Sequence, residues 1–307
     1  MISVVIPVKD GGEDLVRCLT AIGDQDVGEE VEVVVVDSGS SDSSPERARS
    51  LGARVHVIAA EDFNHGATRN LGARLTHGDV LVFISQDAFP LGSDWLARLT
   101  APLRQDDRVA GTYGRQVAHV DASPSERFFL DFLYGPTSRH QRAAGASELS
   151  MDTTLFSNVN AAIRRDVFER FAFVEDIIMS EDQEWARRVL LAGYGLRYVA
   201  EAAVAHSHPY TIVQAFRRFF DSGVSAERAY LSGARPSAAV LRHQALRYAR
   251  EEMAWLWRTG HRRAMPHAVV YELAKFVGLQ LGARHRLLPM ALKRRLSALP
   301  VYWARLV

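Results

Sequence analysis

The sequence predicts an α/β fold, with a mostly parallel β-sheet flanked by helices and a helical extension after it. Short runs of β-branched residues alternate with helix-like segments through the first half of the chain, which is typical of βαβ units. Two of these runs, Val31–Val36 and Val80–Ile84, are almost entirely apolar, like strands that are buried on both faces. From about residue 209 the strand signals stop, so we place a boundary near residue 215, between a domain over 1–215 and a basic helical extension over 216–307.

The individual elements follow from hydrophobic periodicity and from the turn residues between them. The predicted strands, in order, are Ser3–Val8, Val31–Val36, Arg54–Ile58, Val80–Ile84 and the short Ala202–Ala205. The predicted helices of the same region are Leu15–Gln25, Pro45–Leu51, Gly66–Thr76 and the acidic segment Met179–Leu191.

Composition excludes several classes of protein. The chain has 307 residues, of which 48% are hydrophobic and 24% charged, as in a globular protein with a sizeable core. A single cysteine, Cys18, excludes an internal disulfide framework and a cysteine-rich zinc site. Met1 leads directly into the first strand without the basic and cleavable segments of a secretory signal. No apolar run reaches the roughly 20 residues that a membrane span needs, so we expect a cytoplasmic protein.

The net charge of +1 hides a strong asymmetry along the chain. Residues 231–307 contain 14 Lys and Arg but 3 Asp and Glu, whereas residues 1–230 carry a net charge of −10. Such a split indicates an interaction surface for nucleic acid or an anionic membrane, or else a solvated arginine-rich helical face. Tryptophans such as Trp255, Trp257 and Trp303 are interspersed with the basic residues, so we expect ordered helices there.

Candidate functional residues follow the predicted strands, because ligands bind beyond the carboxyl ends of parallel strands. The small residues after Asp37 let the backbone approach a ligand, and Asp37 can accept hydrogen bonds from a base or ribose. A helix cap before Pro45 is the alternative. The loop has neither the glycine spacing of a dinucleotide fingerprint nor the lysine of a P-loop. Asp87 suits a divalent cation that also holds substrate phosphates, or it caps a turn before Pro90.

Two further groups of residues carry possible chemistry. The segment Met179–Trp185 places three carboxylates in the first turn of a helix, more than capping requires, so one could act as a general base. The alternative is ordinary stabilisation of a helix N-terminus by acidic side chains. His206 and His208 follow a short apolar strand and could bind a metal ion or contact phosphate, or form an inert surface pair.

Taken together, these segments resemble glycosyltransferase family 2, whose members are inverting enzymes of GT-A fold that use nucleotide sugars. The segments that match the family's motifs are Ile6–Asp10, Asp37–Asp42, Ser85–Asp87 and Glu181-Asp182. Other segments are similar to bacterial dTDP-L-rhamnose transferases, namely Phe63–Asn70, Ser85–Ala88, Ser157–Asn160 and His206–His208. The resemblance covers about residues 2–220 and, more loosely, the helical tail.

The sequence departs from the family pattern at two acidic positions. Ser85 replaces the first acid of the Asp-x-Asp motif, and Ser38 replaces the second acid of the nucleotide loop. We therefore expect modest metal affinity, with Asp87 as the only carboxylate ligand, and a metal-independent variant stays open.

The resemblance implies inverting transfer of L-rhamnose from dTDP-L-rhamnose to a lipid-linked glycan of a bacterial surface polysaccharide such as O-antigen. Asp182 would be the general base, and Glu181 would orient the acceptor or the base. Mg²⁺ or Mn²⁺ would be held by Asp87 with His206 or His208, of which His206 is favoured. Asp37 would read N3–H of the pyrimidine. The residues assigned to the nucleotide pocket are Pro7, Val8, Lys9, Asp10, Asp37, Ser38, Gly39, His65, Arg69, Ser85 and Gln86.

The expected partners are the nucleotide sugar, the glycan acceptor and an anionic membrane surface at the inner face of the cytoplasmic membrane, contacted through residues 231–307. We expect no nucleic-acid partner, since such a function explains none of the acidic motifs, and a homo-oligomer stays open. The alternatives are a family 2 transferase that uses a UDP-sugar, a sugar nucleotidyltransferase and a non-catalytic nucleotide-binding protein. Asp182 argues against the last, because nucleotide binding alone needs no base. The weakly Gly-rich segment Val8–Gly12 argues against the nucleotidyltransferase.

Overall fold

The computed structural model describes residues 1–226, 228–229 and 238–305, and describes side chains for these except 238–244. The expected basic extension therefore lies partly outside the described residues, at 227, 230–237 and 306–307. The chain divides into two compact units. The first unit comprises Met1–Val117, Tyr134–Glu175 and Glu181–His206, and the second comprises Ala118–Leu133, Asp176–Ser180 and Ser207–Val307.

The first unit is built on a nine-stranded sheet with helices around it. Its strands are β1 (Ile2–Val8), β2 (Val31–Asp37), β3 (Arg54–Val57), β4 (Val80–Ile84), β5 (Phe89–Pro90), β6 (Val109–Val117), β7 (Arg139–Gln141), β8 (Asn160–Arg164) and β9 (Gly195–Ala205). Its helices are α1 (Gly12–Gly23), α2 (Ser44–Ser50), α3 (His65–Arg74), α4 (Trp95–Gln105), α6 (Arg165–Arg170) and α7 (Glu181–Leu191).

The strand order is β3-β2-β1-β4-β8-β6-β9-β5, with β7 beside β9. Strands β1 to β4 pair in parallel, as the sequence predicts. Beyond β4 the sheet is mixed: β8 runs antiparallel to both β4 and β6, and β5 and β7 run antiparallel to β9, whereas β6 and β9 pair in parallel. A buried apolar strand looks the same in sequence whichever way it runs, so its direction depends on pairing that local patterns do not encode.

The parallel half of the sheet carries the main hydrophobic core. Every residue of Ile2–Ile6 is buried, as is every residue of β4, which accounts for their nearly continuous apolar sequence. Because parallel strands end together, the loops after β1, β2 and β4 meet at one edge of the sheet. The predicted strands match β1, β2, β3 and β4, and the predicted Ala202–Ala205 is the last part of β9, whereas the sequence analysis predicts none of β5 to β8.

The second unit is helical in its described part. Its helices are α5 (Pro124–Leu133), α8 (Ile212–Ala226), α9 (Ala238–Arg258), α10 (Met265–Gly282), α11 (Met290–Leu296) and α12 (Pro300–Ala304). Helix α10 packs closely on α8 through glycines, since a Cβ at Gly278 would lie 2.4 Å from the Phe216 carbonyl oxygen. Among the residues that the structure describes, no helix is both long and apolar enough to cross a membrane.

Candidate active site

The loops that follow β1 and β4 are joined by reciprocal hydrogen bonds. The Lys9 backbone N–H donates to Gln86 Oε1 at 2.9 Å, and Gln86 Nε2 donates to the Lys9 carbonyl oxygen at 3.1 Å. Asp10 joins the loop after β2, because its Oδ1 accepts from the Ser41 backbone N–H at 2.7 Å. The three segments expected to bind a nucleotide therefore form one connected edge of the sheet.

Asp37 organises its own loop. Its Oδ1 accepts from the Ser40 backbone N–H at 2.9 Å, and its Oδ2 accepts from the Ser40 hydroxyl at 2.5 Å. Gly39 has a φ of 71°, in the left-handed region that favours glycine. Asp10 also has a positive φ, 47°, and such strained backbone is often retained near functional sites. Contact between Asp37 and a base stays a prediction.

Asp87 and His206 come together where β4 and β9 end. Asp87 Oδ1 lies 3.7 Å from His206 Nε2, and the histidine side chain is 9% exposed. His206 Nδ1 makes a 3.0 Å hydrogen bond with Gln116 Oε1, while Gln116 Nε2 donates to Ser157 Oγ. Because an amide oxygen can only accept, Nδ1 donates in this hydrogen bond, and in the neutral ring Nε2 then keeps its lone pair on the side of Asp87.

This arrangement fits a divalent cation. An ion that bonds to one nitrogen and one oxygen at about 2.0–2.2 Å each can bridge atoms up to about 4.2 Å apart, so the 3.7 Å gap is wide enough. Gln116 fixes the ring orientation in the way that partners behind metal-ligating histidines usually do. His208 follows His206 by two residues and belongs to the second unit.

Glu181, the first residue of α7, is a buried charge with two partners. Its Oε1 accepts from Arg69 Nη1 and from Asn158 Nδ2, each at 3.1 Å. Burial alone would raise the pKa of this carboxyl, but the nearby Arg69 guanidinium, with His65 and Asn158, lowers it below its usual value. The ion pair therefore keeps Glu181 negative. A position of Arg69 and His65 over a base or phosphate stays a prediction.

Asp182, next to Glu181, has the opposite electrostatic environment. Its Oδ2 accepts from the Asn158 backbone N–H at 3.1 Å and its Oδ1 from the Gln183 backbone N–H at 2.8 Å. Burial, and then the neighbouring Glu181 charge, raise the pKa of Asp182 to about 7. A carboxylate whose pKa lies near the working pH is suited to general base catalysis.

A short segment before β8 links the two parts of this edge. The Ser85 backbone N–H donates to the Val159 carbonyl oxygen at 3.2 Å, while the adjacent Asn158 holds both Glu181 and Asp182. The loop that carries Asp87 and the carboxylate of Asp182 are thus anchored on neighbouring residues. The arrangement can supply a base and a cation site at one edge of the sheet.

The segment Phe63–Asn70 helps to position the acidic first turn of α7, which Asn158 also contacts. Asn64 caps α3 by accepting from the backbone N–H groups of Gly66 and Ala67, both at 2.9 Å. A Cβ at Gly66 would lie 2.1 Å from the Val174 carbonyl oxygen, so only glycine fits there. Asn70 Nδ2 donates to the Phe173 carbonyl oxygen at 2.9 Å. Contacts within the fold therefore account for much of the composition of Phe63–Asn70.

Sequence reasoning missed two residues of the site. Asn158 belongs to a segment that the resemblance singled out, but nothing in the sequence pairs it with the carboxylates of α7. Gln116 carries no sequence signal, since it is a single polar residue near the end of a strand, and its contact with His206 spans 90 positions.

The mixed sheet and its acidic carboxyl edge are those of a GT-A-like α/β enzyme. The chain belongs to glycosyl transferase family 2, which it matches over residues 3–171. It is therefore a sugar-transferring enzyme, of the hexosyltransferase class.

Two curated relatives are similar over most of their length. The O-antigen chain rhamnosyltransferase RfbN of Salmonella typhimurium is 34% identical over 305 residues, which cover 98% of this chain and 96% of the relative. The O-antigen chain rhamnosyltransferase WbaN of Salmonella anatum is 34% identical over 275 residues, which cover 89% of this chain and 86% of the relative.

Solved structures with a similar fold include the mannosyltransferase PcManGT of Pyrobaculum calidifontis, in complex with GDP-Man and Mn²⁺. Its TM-score is 0.58 at 20% identity, and the match covers 99% of this chain and 84% of that one. S. aureus TarS 1–349 has a TM-score of 0.53 at 15% identity, covering 93% and 90%.

Proposed function

We propose that the enzyme transfers L-rhamnose from dTDP-L-rhamnose to the growing glycan of a bacterial surface polysaccharide, with inversion at the anomeric carbon. The observation that carries the donor sugar is the 34% identity with an O-antigen chain rhamnosyltransferase along nearly the whole chain. The dTDP nucleotide rests on the resemblance of Phe63–Asn70 to bacterial dTDP-L-rhamnose transferases.

Asp182 is the proposed general base. In its ionised form the carboxylate takes the proton of the acceptor hydroxyl while that oxygen forms a bond to the anomeric carbon. The bond from the anomeric carbon to the diphosphate oxygen breaks on the opposite face, and the nucleoside diphosphate leaves with the electron pair. Two backbone N–H groups, from Asn158 and Gln183, hold the carboxylate in position. Burial, and then the neighbouring Glu181 charge, keep the pKa of Asp182 high enough for efficient proton transfer.

We assign the cation site to Asp87 and His206, whose facing atoms lie 3.7 Å apart; the family resemblance offers His208 as the alternative histidine ligand. Mg²⁺ or Mn²⁺ bound there would neutralise charge on the diphosphate leaving group. Support comes from the gap between Asp87 and His206 and from the lone pair that Gln116 directs at it. The connected loops after β1, β2 and β4, which include Lys9, Asp37 and Gln86, are the proposed nucleotide pocket.

We further propose that the enzyme works at the inner face of the cytoplasmic membrane, where a lipid-linked acceptor would lie. Helix α10 supports this, because its exposed apolar residues fall at the spacing of one helix face: Val269, Val270, Leu273, Phe276 and Val277. The exposed arginine pair Arg262 and Arg263 precedes the helix, and Arg284 and Arg286 follow it. Each basic residue near an anionic surface contributes about 1 kcal/mol to binding.

The donor is tested with a panel of dTDP-L-rhamnose, UDP-glucose, UDP-GlcNAc and GDP-mannose, scored by donor hydrolysis and by thermal shift. We expect a clear preference for dTDP-L-rhamnose, and NMR of a transfer product should show the inverted anomer. A preference for a UDP-sugar would reduce the assignment to the family level. Nucleotide binding without hydrolysis or transfer would favour a non-catalytic nucleotide-binding protein.

Membrane association is tested by co-sedimentation with liposomes of neutral or mixed anionic lipid. Binding should require anionic lipid, fall with added salt, and weaken in Leu273→Asp and in the double variant Arg262→Glu/Arg263→Glu. Leu191→Asp is the matched control, since Leu191 is an exposed leucine of the first unit, 42% exposed. Equal sedimentation with and without anionic lipid would remove the membrane proposal and leave the transferase assignment intact.

A further inference from the structure

A small cavity lies in the second unit, and of its lining residues only His208 is also a candidate for the site described above. Its volume is about 130 Å³, of the order of one sugar ring. Its lining comes from the start of α5, from the segment after β9 and from the first turns of α10. The lining residues are Ser123, Ser125, Glu126, His208, Pro209, Tyr210, His267 and Tyr271.

Two pairs of stacked aromatic rings form much of the cavity wall. The rings of His208 and Tyr210 stack with centroids 4.9 Å apart and planes 29° apart. The rings of His267 and Tyr271 stack at 5.8 Å and 25°. Flat rings with polar tips suit a ligand that has both an apolar face and hydroxyl groups, as a pyranose ring does.

The polar groups of the cavity suit hydroxyls. Glu126 is half-buried and accepts a hydrogen bond from the His208 backbone N–H, and its second carboxylate oxygen gives a further acceptor. Burial, together with nearby carboxylates that include Glu126, raises the pKa of the Tyr271 hydroxyl, which therefore stays protonated and able to donate. A sugar hydroxyl both donates and accepts, so it can use both kinds of group.

The charge of the surroundings argues against an anionic ligand. Asp121 acts electrostatically on Glu126, and Glu252 and Glu272 act on Tyr271 together with Glu126. Glu272 is paired with Lys275, whose ammonium nitrogen lies 5.5 Å from the centroid of the Tyr271 ring, so Glu126 and Asp121 are the carboxylates that would repel a phosphate placed here. A neutral ligand avoids that repulsion.

We propose that this cavity binds a sugar ring of the glycan acceptor, stacked on the Tyr210 and Tyr271 pairs and hydrogen-bonded to Glu126. The inference rests on the proposed function, which names a glycan as the acceptor. The binding of a sugar to the cavity can nevertheless be measured on its own, without a donor or a transfer reaction. The proposed function supplies the reason to expect a sugar here, because the growing glycan is the substrate that carries neutral sugar rings.

The test measures sugar binding to the full chain without any donor. Methyl glycosides of L-rhamnose, D-mannose, D-galactose, D-glucose and N-acetyl-D-glucosamine are titrated by ligand-observed NMR. The variants are Glu126→Gln and His267→Ala; His267 is exposed, so its replacement carries little risk to folding. The matched controls are Glu251→Gln, an exposed ion-paired glutamate, and His261→Ala, whose ring stacks on Trp255 at 5.9 Å outside the cavity. Thermal melting confirms that each variant is folded.

We expect at least one glycoside to bind the wild type. Glu126→Gln should weaken its binding about 10-fold, as loss of a hydrogen bond to a charged group does, and His267→Ala about 3-fold, while both controls bind like the wild type. Failure of every glycoside to bind at high millimolar concentration, or equal binding by variants and controls, would overturn the proposal. A wrong donor assignment would appear instead in the nucleotide-sugar panel, which these titrations do not involve.

Discussion

Replacing Arg69 with methionine removes a positive charge from the site while keeping most of the side-chain volume. Arg69 Nη1 lies 3.1 Å from Glu181 Oε1, and the two side chains are 8% and 6% exposed. The variant leaves Glu181 buried, with Asn158 as its remaining side-chain hydrogen-bond donor. Removing one partner of a buried ion pair typically costs about 3–5 kcal/mol of unfolding free energy, because the other charge stays uncompensated.

The difference in unfolding free energy between the wild type and Arg69→Met depends on pH, because the pKa of Glu181 differs between the two proteins. In the wild type the pKa of Glu181 is below its ordinary value of 4.5, so its stabilising contribution is present above pH 4.5 and is lost as the pH falls through the native pKa. In Arg69→Met, burial outweighs the remaining partners and raises the pKa above that value. The penalty is then absent below pH 4.5 and grows as the pH rises. We therefore expect a large difference in stability at pH 8 and a smaller one near pH 5, where the wild type keeps its stabilising contribution but most of the penalty in the variant has not yet developed.

The assay is thermal and urea unfolding followed by circular dichroism at pH 5 and pH 8. For a domain of this size, 3–5 kcal/mol corresponds to a fall in Tm of about 6–20 °C at pH 8. Arg98→Met is the control, since Arg98 pairs with Asp94 on the surface and its loss should cost less than about 0.5 kcal/mol. A loss below about 1 kcal/mol at pH 8, or an equal loss at both pH values, would refute the reasoning.

Three further predictions concern the site. Asp182→Asn should keep dTDP binding and lower the rate of transfer about 10²–10⁴-fold. In the wild type, kcat/KM should rise with pH through about 7, where Asp182 ionises, and a flat pH profile would contradict its assignment as the base. Asp87→Ala should abolish the part of dTDP affinity that calorimetry finds sensitive to EDTA, and equal wild-type affinity with and without EDTA would rule out the cation role. Gly66→Ala should lower the free energy of unfolding, measured in urea, by about 1–3 kcal/mol, because its Cβ would meet the Val174 carbonyl oxygen. Gly23→Ala is the control, since there is open space around Gly23, and equal stability of the two variants would contradict the packing argument.

The sequence by itself determined the parallel half of the fold and the position of its functional edge. Val80–Ile84 is apolar because it is buried along its whole length, and Val31–Val36 is buried from Val34 onward. A pattern of that kind is local and can be recognised in the sequence. The rule that ligands bind beyond the ends of parallel strands then directed attention to Asp37 and Asp87. The acidic first turn of α7 could be recognised from the sequence for the same reason, because its carboxylates are close together in the chain.

Only the tertiary structure decided how these residues work together. Arg69 and Glu181 are 112 positions apart, and His206 and Gln116 are 90 apart. Neither pairing leaves a periodic trace, because one polar residue in a buried position looks like any other in sequence. The antiparallel entry of β8 and the contrast between the pKa values of Glu181 and Asp182 have the same origin. Strand order and burial are properties of the whole packed chain, and the charge on a carboxyl depends on the solvent and partners that packing leaves around it.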